Sequence, residues 1–218
     1  MAKNRELHKK ESYYKQAKKE GYRARSAYKL LDIQNKFNIF KRAFYVLDLG
    51  SAPGSWLQVV KMYVKGNLDK YEDEYYHRDH YKIMGVDIKN VSPIENIKII
   101  KFDITKPELQ EQIDLYFHSE IDLLLSDASI NKTGNRFTDH LKQLNLCYKI
   151  LDIAKKNLKF KGNMVIKVFQ GSDFNKFTKE MNSIFRILKS YKPKSSKKKS
   201  NEIFLIGLQK VKLNILQS

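Results

Sequence analysis

Cysteine is nearly absent from this sequence, with Cys147 as the single example among 218 residues. An intramolecular disulfide is therefore excluded, and so is a zinc site built from several cysteines. Long apolar runs are missing too, since none approaches the ~20 residues that a membrane-spanning helix needs. Residues 1–6 contain no apolar segment of the kind that begins a secretory signal. We expect an intracellular protein of a reducing compartment, cytoplasmic by default, with nucleus and organelle left open and no membrane partner.

Acidic residues are scarce relative to basic ones. The chain has 42 Lys+Arg against 24 Asp+Glu, a formal net charge of +18. Such an excess favours a polyanion as partner, and nucleic acid comes first. Only 7 of the basic residues are arginine, and asparagine and isoleucine are plentiful. This pattern resembles a genome-wide codon bias, so part of the lysine content is ordinary surface.

The remaining composition is that of a folded domain, with 42% hydrophobic and 12% aromatic residues. The length suits one domain. We predict a basic N-terminal arm over residues 1–23, a single domain over 24–210 with a polar surface insertion at about 65–81, and a tail over 211–218. A monomer is the default expectation.

Short apolar runs alternate with segments of helical periodicity. The predicted strands are Phe44–Leu49, Lys82–Val86, Ile97–Phe102, Ile121–Leu125, Met164–Phe169 and a terminal hairpin of Arg186–Tyr191 with Glu202–Leu208. The predicted helices are Ser26–Phe37, Ser55–Val64, Pro107–His118, Asp139–Leu158 and Phe174–Phe185, with Gly162 in a turn after the fourth. This alternation predicts an α/β fold with a mainly parallel sheet and helices on both faces.

The glycine-rich turn after the first strand is the most informative segment. It reads Asp48-Leu-Gly-Ser-Ala-Pro-Gly-Ser-Trp56, and we assign Gly50, Ser51, Pro53, Gly54 and Trp56 to a cofactor site. Ligands of open α/β sheets bind beyond the carboxyl ends of the strands, where small residues allow close approach. The third glycine of a dinucleotide fingerprint is missing, which favours S-adenosylmethionine over a pyrophosphate cofactor.

Acidic residues follow the next two strands. Asp87 ends the second strand, where a carboxylate would accept hydrogen bonds from ribose hydroxyls. Asp103 follows the third strand, where it would meet an adenine amino group. Both positions strengthen the prediction of a nucleoside cofactor.

Charged residues at separate places point to a catalytic end of the same sheet. They are Lys29 on the first helix, Asp127 after the fourth strand, Lys167 inside an apolar strand and Glu202 at the start of the last strand. Methylation of a ribose 2′-hydroxyl needs a base, and a free lysine with a pKa of ~10.4 is a poor one at neutral pH. We expect a second lysine and partial burial to lower that pKa, and the acids to orient the amine.

These stretches closely resemble the FtsJ/RrmJ family of S-adenosylmethionine-dependent RNA 2′-O-methyltransferases, from about residue 11 to residue 209. The resemblance places the family's catalytic set on Lys29, Asp127, Lys167 and Glu202, with Lys167 as the base. It places cofactor contacts on Gly54, Trp56, Asp87, Asp103 and Asp127. It also implies a Rossmann-like class I methyltransferase fold, with seven strands and an antiparallel last strand. Ser129-Ile130 stand where the family often has Ala-Pro, which leaves the shape of that loop open.

The resemblance implies RNA as the substrate. Ribosomal members modify a uridine of large-subunit ribosomal RNA, which we favour over the tRNA anticodon loop; the mRNA cap is more distant. Basic residues that bracket the site are our candidates for RNA contacts: Lys18, Lys19, Arg23, Arg25, Lys194, Lys197, Lys198 and Lys199.

Other interpretations stay open at this point. A nicotinamide-dependent dehydrogenase is the rival enzyme, and a non-catalytic RNA-binding or ribosome-assembly module is the rival outside enzymology. His77 and His80 are close enough in sequence to suggest a pair of metal ligands. They lie in the polar insertion without a third ligand, so we predict no metal site.

Overall fold

Strands and helices alternate along the chain, as predicted. The computed structural model describes residues 12–71, 80–131, 133–171, 173–197 and 200–212. The strands are β1 (Tyr45–Leu49), β2 (Lys82–Asp87), β3 (Lys98–Lys101), β4 (Ile121–Ser126), β5 (Leu158–Phe169), β6 (Phe185–Tyr191) and β7 (Glu202–Lys210). The helices are α1, which includes residues 12–19, and α2 (Ala27–Phe37), α3 (Ser55–Lys70), α4 (Leu109–Phe117), α5 (Arg136–Asn157) and α6 (Phe174–Ile184).

The strands form one seven-stranded sheet in the order β3-β2-β1-β4-β5-β7-β6. All pairs from β3 to β5 are parallel. Strand β7 lies between β5 and β6 and is antiparallel to both. The mostly parallel sheet with an antiparallel last strand is therefore confirmed, as is the terminal hairpin.

The sheet has a hydrophobic cluster on each face because its central strands are buried on both sides. In β1, Leu47 and Leu49 belong to the cluster under α4, α5 and α6. Val46 belongs to the opposite cluster, under α2 and α3. Central strands that are buried on both faces consist of continuous apolar residues, and the sequence pattern therefore located them.

Helix α3 is longer than predicted, and the first part of the predicted insertion is wrong. Residues 65–70 form its last turns, although their polar composition suggested a loop. Asn67 explains the difference, since it is buried and donates to the carbonyls of Phe40 (2.7 Å) and Ala43 (2.8 Å). Residues 72–79, including His77, lie outside the described part of the chain. His80 lies within hydrogen-bonding distance of the Tyr45 hydroxyl, at 2.7 Å.

Two other predicted boundaries need correction around α5. This helix begins at Arg136 and not at Asp139, and the Asn135 side chain caps it by accepting from the Thr138 amide at 3.1 Å. Strand β5 begins at Leu158, so Gly162 lies inside a strand and not in a turn.

The described part of the predicted N-terminal arm packs on the domain. Ala17 of α1 is buried, and Gln58 of α3 clamps the segment that follows. Its amide group donates to the Gly21 carbonyl and accepts from the Arg23 amide, both at 2.8 Å. Residues 12–23 are therefore continuous with the domain.

Two lysines stabilise the fold by donating hydrogen bonds at the carboxyl ends of helices. Lys82 donates to the carbonyls of Tyr116 and Phe117 at the end of α4, both at 3.1 Å. The buried Lys210 donates to the carbonyls of Lys155 and Leu158 at the end of α5. These carbonyls have no partner within their helix, and the helix dipole favours a cation there. Part of the positive charge thus has a structural role. Among the described residues, no helix is long and apolar enough to cross a membrane.

We predict that Asn67→Ala lowers the free energy of unfolding by about 1–3 kcal/mol, because it removes two buried hydrogen bonds and leaves the Phe40 carbonyl with the Ala43 amide (3.0 Å) as its remaining donor. In a domain of this size that corresponds to a fall in Tm of roughly 3–10 °C, measurable by calorimetry. Lys65→Ala, an exposed change on the same helix, should move Tm little. Equal effects of the two changes would contradict the role of Asn67.

Candidate active site

A cavity of about 660 Å³ lies beyond the carboxyl ends of the parallel strands. Its walls include Gly50 after β1, Asp87 at the end of β2, Asp103 after β3 and Asp127 after β4, with one side of α5 closing it. The strand order reverses between β1 and β4, which is where open α/β sheets bind ligands. The structure thus brings these predicted cofactor residues together.

Glycine is required at the floor of this cavity. Gly50 has φ +85°, and a Cβ there would lie 2.6 Å from the backbone of Ala128. Gly54 has φ +102° and is the N-cap of α3. Because Gly54 has no side chain, no side-chain hydrogen bond caps the first amides of α3, and such uncapped helix N-termini can bind anions.

The two strand-end acids have distinct settings. Asp87 is buried and its carboxylate accepts from the amides of Ala52 (2.9 Å) and Lys89 (2.8 Å), which orient it beside the glycine turn. Asp103 accepts from the amide (2.9 Å) and hydroxyl (2.8 Å) of Thr105 through one oxygen. Each carboxylate retains lone pairs with which to accept from a ligand.

Three residues of the predicted cofactor set do not line the cavity with their side chains. Trp56 is 3% exposed, packs on Phe204 and donates from its indole to the Ser26 carbonyl at 2.9 Å. The Trp56 indole is therefore engaged within the protein and does not line the cavity, and a cofactor contact by Trp56 stays a prediction. Ser51 is buried beneath the turn, and the carbonyl of Pro53 accepts from Arg23 at 3.3 Å.

Asp48 is a site residue that the sequence did not single out. It is fully buried at the end of β1, and neither carboxylate oxygen has a hydrogen-bond partner among the described residues. Burial, and then the charges of Asp127 and Asp87, raise the pKa of Asp48 well above its usual value. An acid embedded in an apolar strand (YVLDL) was the available signal, because a buried charge without a partner is costly.

The predicted catalytic residues form a continuous chain of ion pairs. Lys29 contacts Glu202 at 2.8 Å and the Asp127 carboxylate at 3.4 Å. Lys167 contacts the other oxygen of that carboxylate at 3.1 Å and donates to the Asp127 carbonyl at 2.6 Å. Lys167 is only 7% exposed. Four residues from α2, β5, β7 and the end of β4 thus meet at the rim of the cavity.

The pKa of Lys29 is raised, whereas the sequence analysis expected a lowered pKa for the lysine that acts as the base. Burial alone would lower the pKa of Lys29, but the carboxylates of Asp127 and Glu202 outweigh that effect and raise it. Lys29 is therefore held as a cation at neutral pH, which leaves it unsuited to accept a proton.

Comparison with known proteins agrees with this geometry. Residues 22–210 match the model of the family described as FtsJ-like methyltransferase. The chain belongs to the FtsJ-like methyltransferases. The family resemblance read from the sequence and the methyltransferase class of enzyme are thereby confirmed, and the nicotinamide-dependent dehydrogenase is excluded.

Relatives within the FtsJ-like family cover most of the chain. "Ribosomal RNA large subunit methyltransferase E" of Methanothrix thermoacetophila is 41% identical over 198 residues, covering 91% of this chain and 72% of the relative. The protein of the same name from Pelagibacter ubique is 38% identical and covers 91% of each chain. A crystal structure described as a ribosomal RNA methyltransferase from Plasmodium falciparum has a TM-score of 0.73 and 29% identity, covering 87% of this chain and 99% of that one.

The site fits S-adenosylmethionine, the methyl donor that membership of the FtsJ-like family implies. Its sulfonium and ammonium groups are cationic, and the carboxyl groups of Asp87 and Asp127 line the cavity at this end of the sheet. Its ribose hydroxyls and adenine amino group are donors, and Asp87 and Asp103 offer acceptors on the cavity wall. Its carboxylate suits the uncapped amides of α3.

The predicted RNA contacts occupy unequal positions. Lys18 and Lys19 on α1 and Lys194 and Lys197 before β7 are exposed. Arg25 is partly buried. The Arg23 guanidinium donates to the carbonyls of Pro53, Ser92 and Pro93 (3.3, 2.6 and 2.9 Å), so it is engaged within the protein. Lys198 and Lys199 lie outside the described residues.

Asp48→Asn tests the buried acid through the pH dependence of stability. Because the pKa of Asp48 is higher in the folded than in the unfolded state, its contribution is favourable at low pH and is lost as pH rises through the folded pKa. The uncharged amide should therefore raise Tm at neutral to alkaline pH, by about 2–4 °C, and the difference should shrink toward pH ~4. Asp69→Asn, on the surface of α3, should show no such trend. A Tm difference that is independent of pH would contradict the assignment.

Proposed function

We propose that this protein methylates a ribose 2′-hydroxyl of RNA, with Lys167 as the general base. The substrate that we favour is a uridine of large-subunit ribosomal RNA. The observation that carries the proposal is the chain of ion pairs from Glu202 through Lys29 and Asp127 to Lys167, at the rim of the cofactor cavity. A protein that only binds RNA would not need a buried lysine that is oriented by such a chain of ion pairs.

The lysines have different tasks in this mechanism. Lys29 stays charged between two carboxylates and holds Asp127 and Glu202 in place. Lys167 is oriented by both the carboxylate and the carbonyl of Asp127. In its amine form, Lys167 accepts the proton of the 2′-hydroxyl as that oxygen attacks.

Bound S-adenosylmethionine would supply an electrophilic methyl group, and S-adenosylhomocysteine would be the product. The 2′-oxygen would attack that methyl group in line, the sulfur would keep the electron pair of the bond that breaks, and Lys167 would hold the hydroxyl proton before it passes to water. Gly50 would allow the donor to approach the backbone, and Asp87 and Asp103 would orient its nucleoside end. Orientation of two bound reactants in this way supplies much of the rate enhancement.

The choice of RNA rests on the relatives. The FtsJ-like proteins of Methanothrix thermoacetophila and Pelagibacter ubique are both named for large-subunit ribosomal RNA. The surface supports a polyanion, since exposed lysines of α1 and of the segment before β7 flank the catalytic lysine Lys29 and the acid Glu202. We propose Lys18, Lys19, Arg25, Lys194, Lys197, Lys198 and Lys199 as the residues that contact phosphates.

We predict that Lys167→Ala lowers kcat for methyl transfer by about 10²–10⁴-fold, the usual worth of a positioned base. Lys167→Arg should be nearly as inactive, because arginine keeps the ion pair but does not lose its proton. Binding of S-adenosylmethionine, measured by calorimetry, should change little in either variant. Lys189→Ala removes an exposed strand lysine and serves as the matched control. Full activity of Lys167→Arg would exclude Lys167 as the base.

The substrate is tested by transfer of labelled methyl groups to large ribosomal subunits, to free large-subunit ribosomal RNA and to tRNA. We expect label on a ribose 2′-oxygen in a ribosomal pool, lost with Lys167→Ala. Label in tRNA alone would keep the chemistry and overturn the ribosomal substrate. Cofactor binding without label in any pool would favour a non-catalytic ribosome-assembly role.

A further inference from the structure

Asp32 lies on α2, one turn after the catalytic lysine Lys29. The proposed reaction does not use its side chain. One oxygen of its carboxylate accepts two hydrogen bonds, from the Tyr191 hydroxyl at 2.9 Å and from the Lys194 amide at 2.8 Å. Tyr191 ends β6, and Lys194 lies in the segment that leads to β7. A carboxylate that accepts two such bonds makes a strong and directional link.

The Tyr191 ring is itself held against α2. It packs edge-on to Phe37 with 5.4 Å between ring centroids, and the Lys36 ammonium lies 4.2 Å from its centroid. Burial and the hydrogen bond to Asp32 raise the pKa of Tyr191 to about 12, so the hydroxyl remains a donor at physiological pH. The side chain of Asp32 thus completes a clamp between α2 and the end of β6.

The described part of the basic loop between β6 and β7, residues 192–197, 200 and 201, has hydrogen bonds beyond this clamp. The Ser196 amide donates to the Pro193 carbonyl at 2.9 Å, and the Ser200 amide donates to the Lys197 carbonyl at 3.1 Å. The Ser196 hydroxyl donates to the Glu202 carboxylate at 3.2 Å, and that carboxylate is paired with Lys29. Both ends of the basic loop are therefore fastened to α2, through Asp32 and through Lys29.

We propose that Asp32 is a positioning residue for RNA recognition, which holds the basic loop so that Lys194 and Lys197 face the RNA next to the catalytic lysines. This inference rests on the proposed function, because it needs RNA as the substrate. Asp32 acts through the loop and touches neither the cofactor cavity nor the reacting atoms. The Tyr191 hydroxyl is its partner in the same task.

The sign of the effect separates positioning from simple electrostatics. Removal of a negative charge from a basic surface should tighten binding of a polyanion, if charge alone matters. Removal of the clamp should weaken binding instead, because the loop lysines lose their fixed placement. Asp32→Asn loses the charge but keeps an acceptor oxygen, whereas Asp32→Ala loses both.

The test measures the Kd for large-subunit ribosomal RNA, together with KM and kcat for methyl transfer. We expect Asp32→Ala to raise Kd and KM for RNA about 10-fold, as loss of a hydrogen bond to a charged group would. Asp32→Asn should remain near the wild type, and Tyr191→Phe should lie between them. Binding of S-adenosylmethionine should be unchanged in all three variants, and Asp69→Asn controls for loss of a surface charge.

A double-mutant cycle shows whether Asp32 acts through the loop. Lys197→Ala should weaken RNA binding in the wild type and flatten its salt dependence by about 0.7 in log–log slope. In the Asp32→Ala background the same change should have little further effect, because the lysine is already misplaced. Equal or tighter RNA binding by Asp32→Ala, or full additivity with Lys197→Ala, would overturn the inference. A wild-type protein that methylates no RNA would instead overturn the proposed function.

Discussion

Burial of the Lys167 ammonium is the constraint on which this active site depends. A charge that is 7% exposed is costly unless it has polar partners, and the partner of Lys167, Asp127, also contacts Lys29, which in turn pairs with Glu202. The ion pairs therefore draw together the first long helix, two neighbouring strands and the end of a third. The same meeting point lies at the strand-order reversal, so the cofactor cavity and the charged cluster share one edge of the sheet.

The overall architecture was predictable because its physical signals are local. Buried parallel strands are continuous apolar runs, and polar residues at their ends, such as Asp87 and Asp127, indicate a ligand-binding site. Sequence-based predictions failed where the burial of a polar side chain decided its structural role. Asn67 looks like part of a polar loop but is buried under two carbonyls, and Arg23 looks like a surface cation but is held by the glycine turn and its neighbours. Local periodicity carries no information about such long-range contacts.

Differences in burial and hydrogen bonding also give residues of the same type different roles at the site. Asp48 and Asp87 are neighbours on adjacent strands, yet Asp87 accepts two backbone amides and Asp48 accepts none. The two amides orient the Asp87 carboxylate, whereas burial raises the pKa of Asp48 and favours its protonated form. Among the lysines, those at helix ends stabilise the fold, whereas Lys18, Lys19, Lys194 and Lys197 are exposed to solvent. Net charge therefore overstates the positive surface that RNA could use.

The position of β7 between β5 and β6 has a consequence for synthesis of the protein. Glu202 and the strand that it begins belong to the C-terminal part of the chain, so β5 and β6 emerge from the ribosome before the strand that separates them. A chain that has not yet added β7 has neither the finished seven-stranded sheet nor the ion pair between Lys29 and Glu202. This edge of the sheet and the chain of ion pairs are consequently completed together, when β7 inserts between β5 and β6.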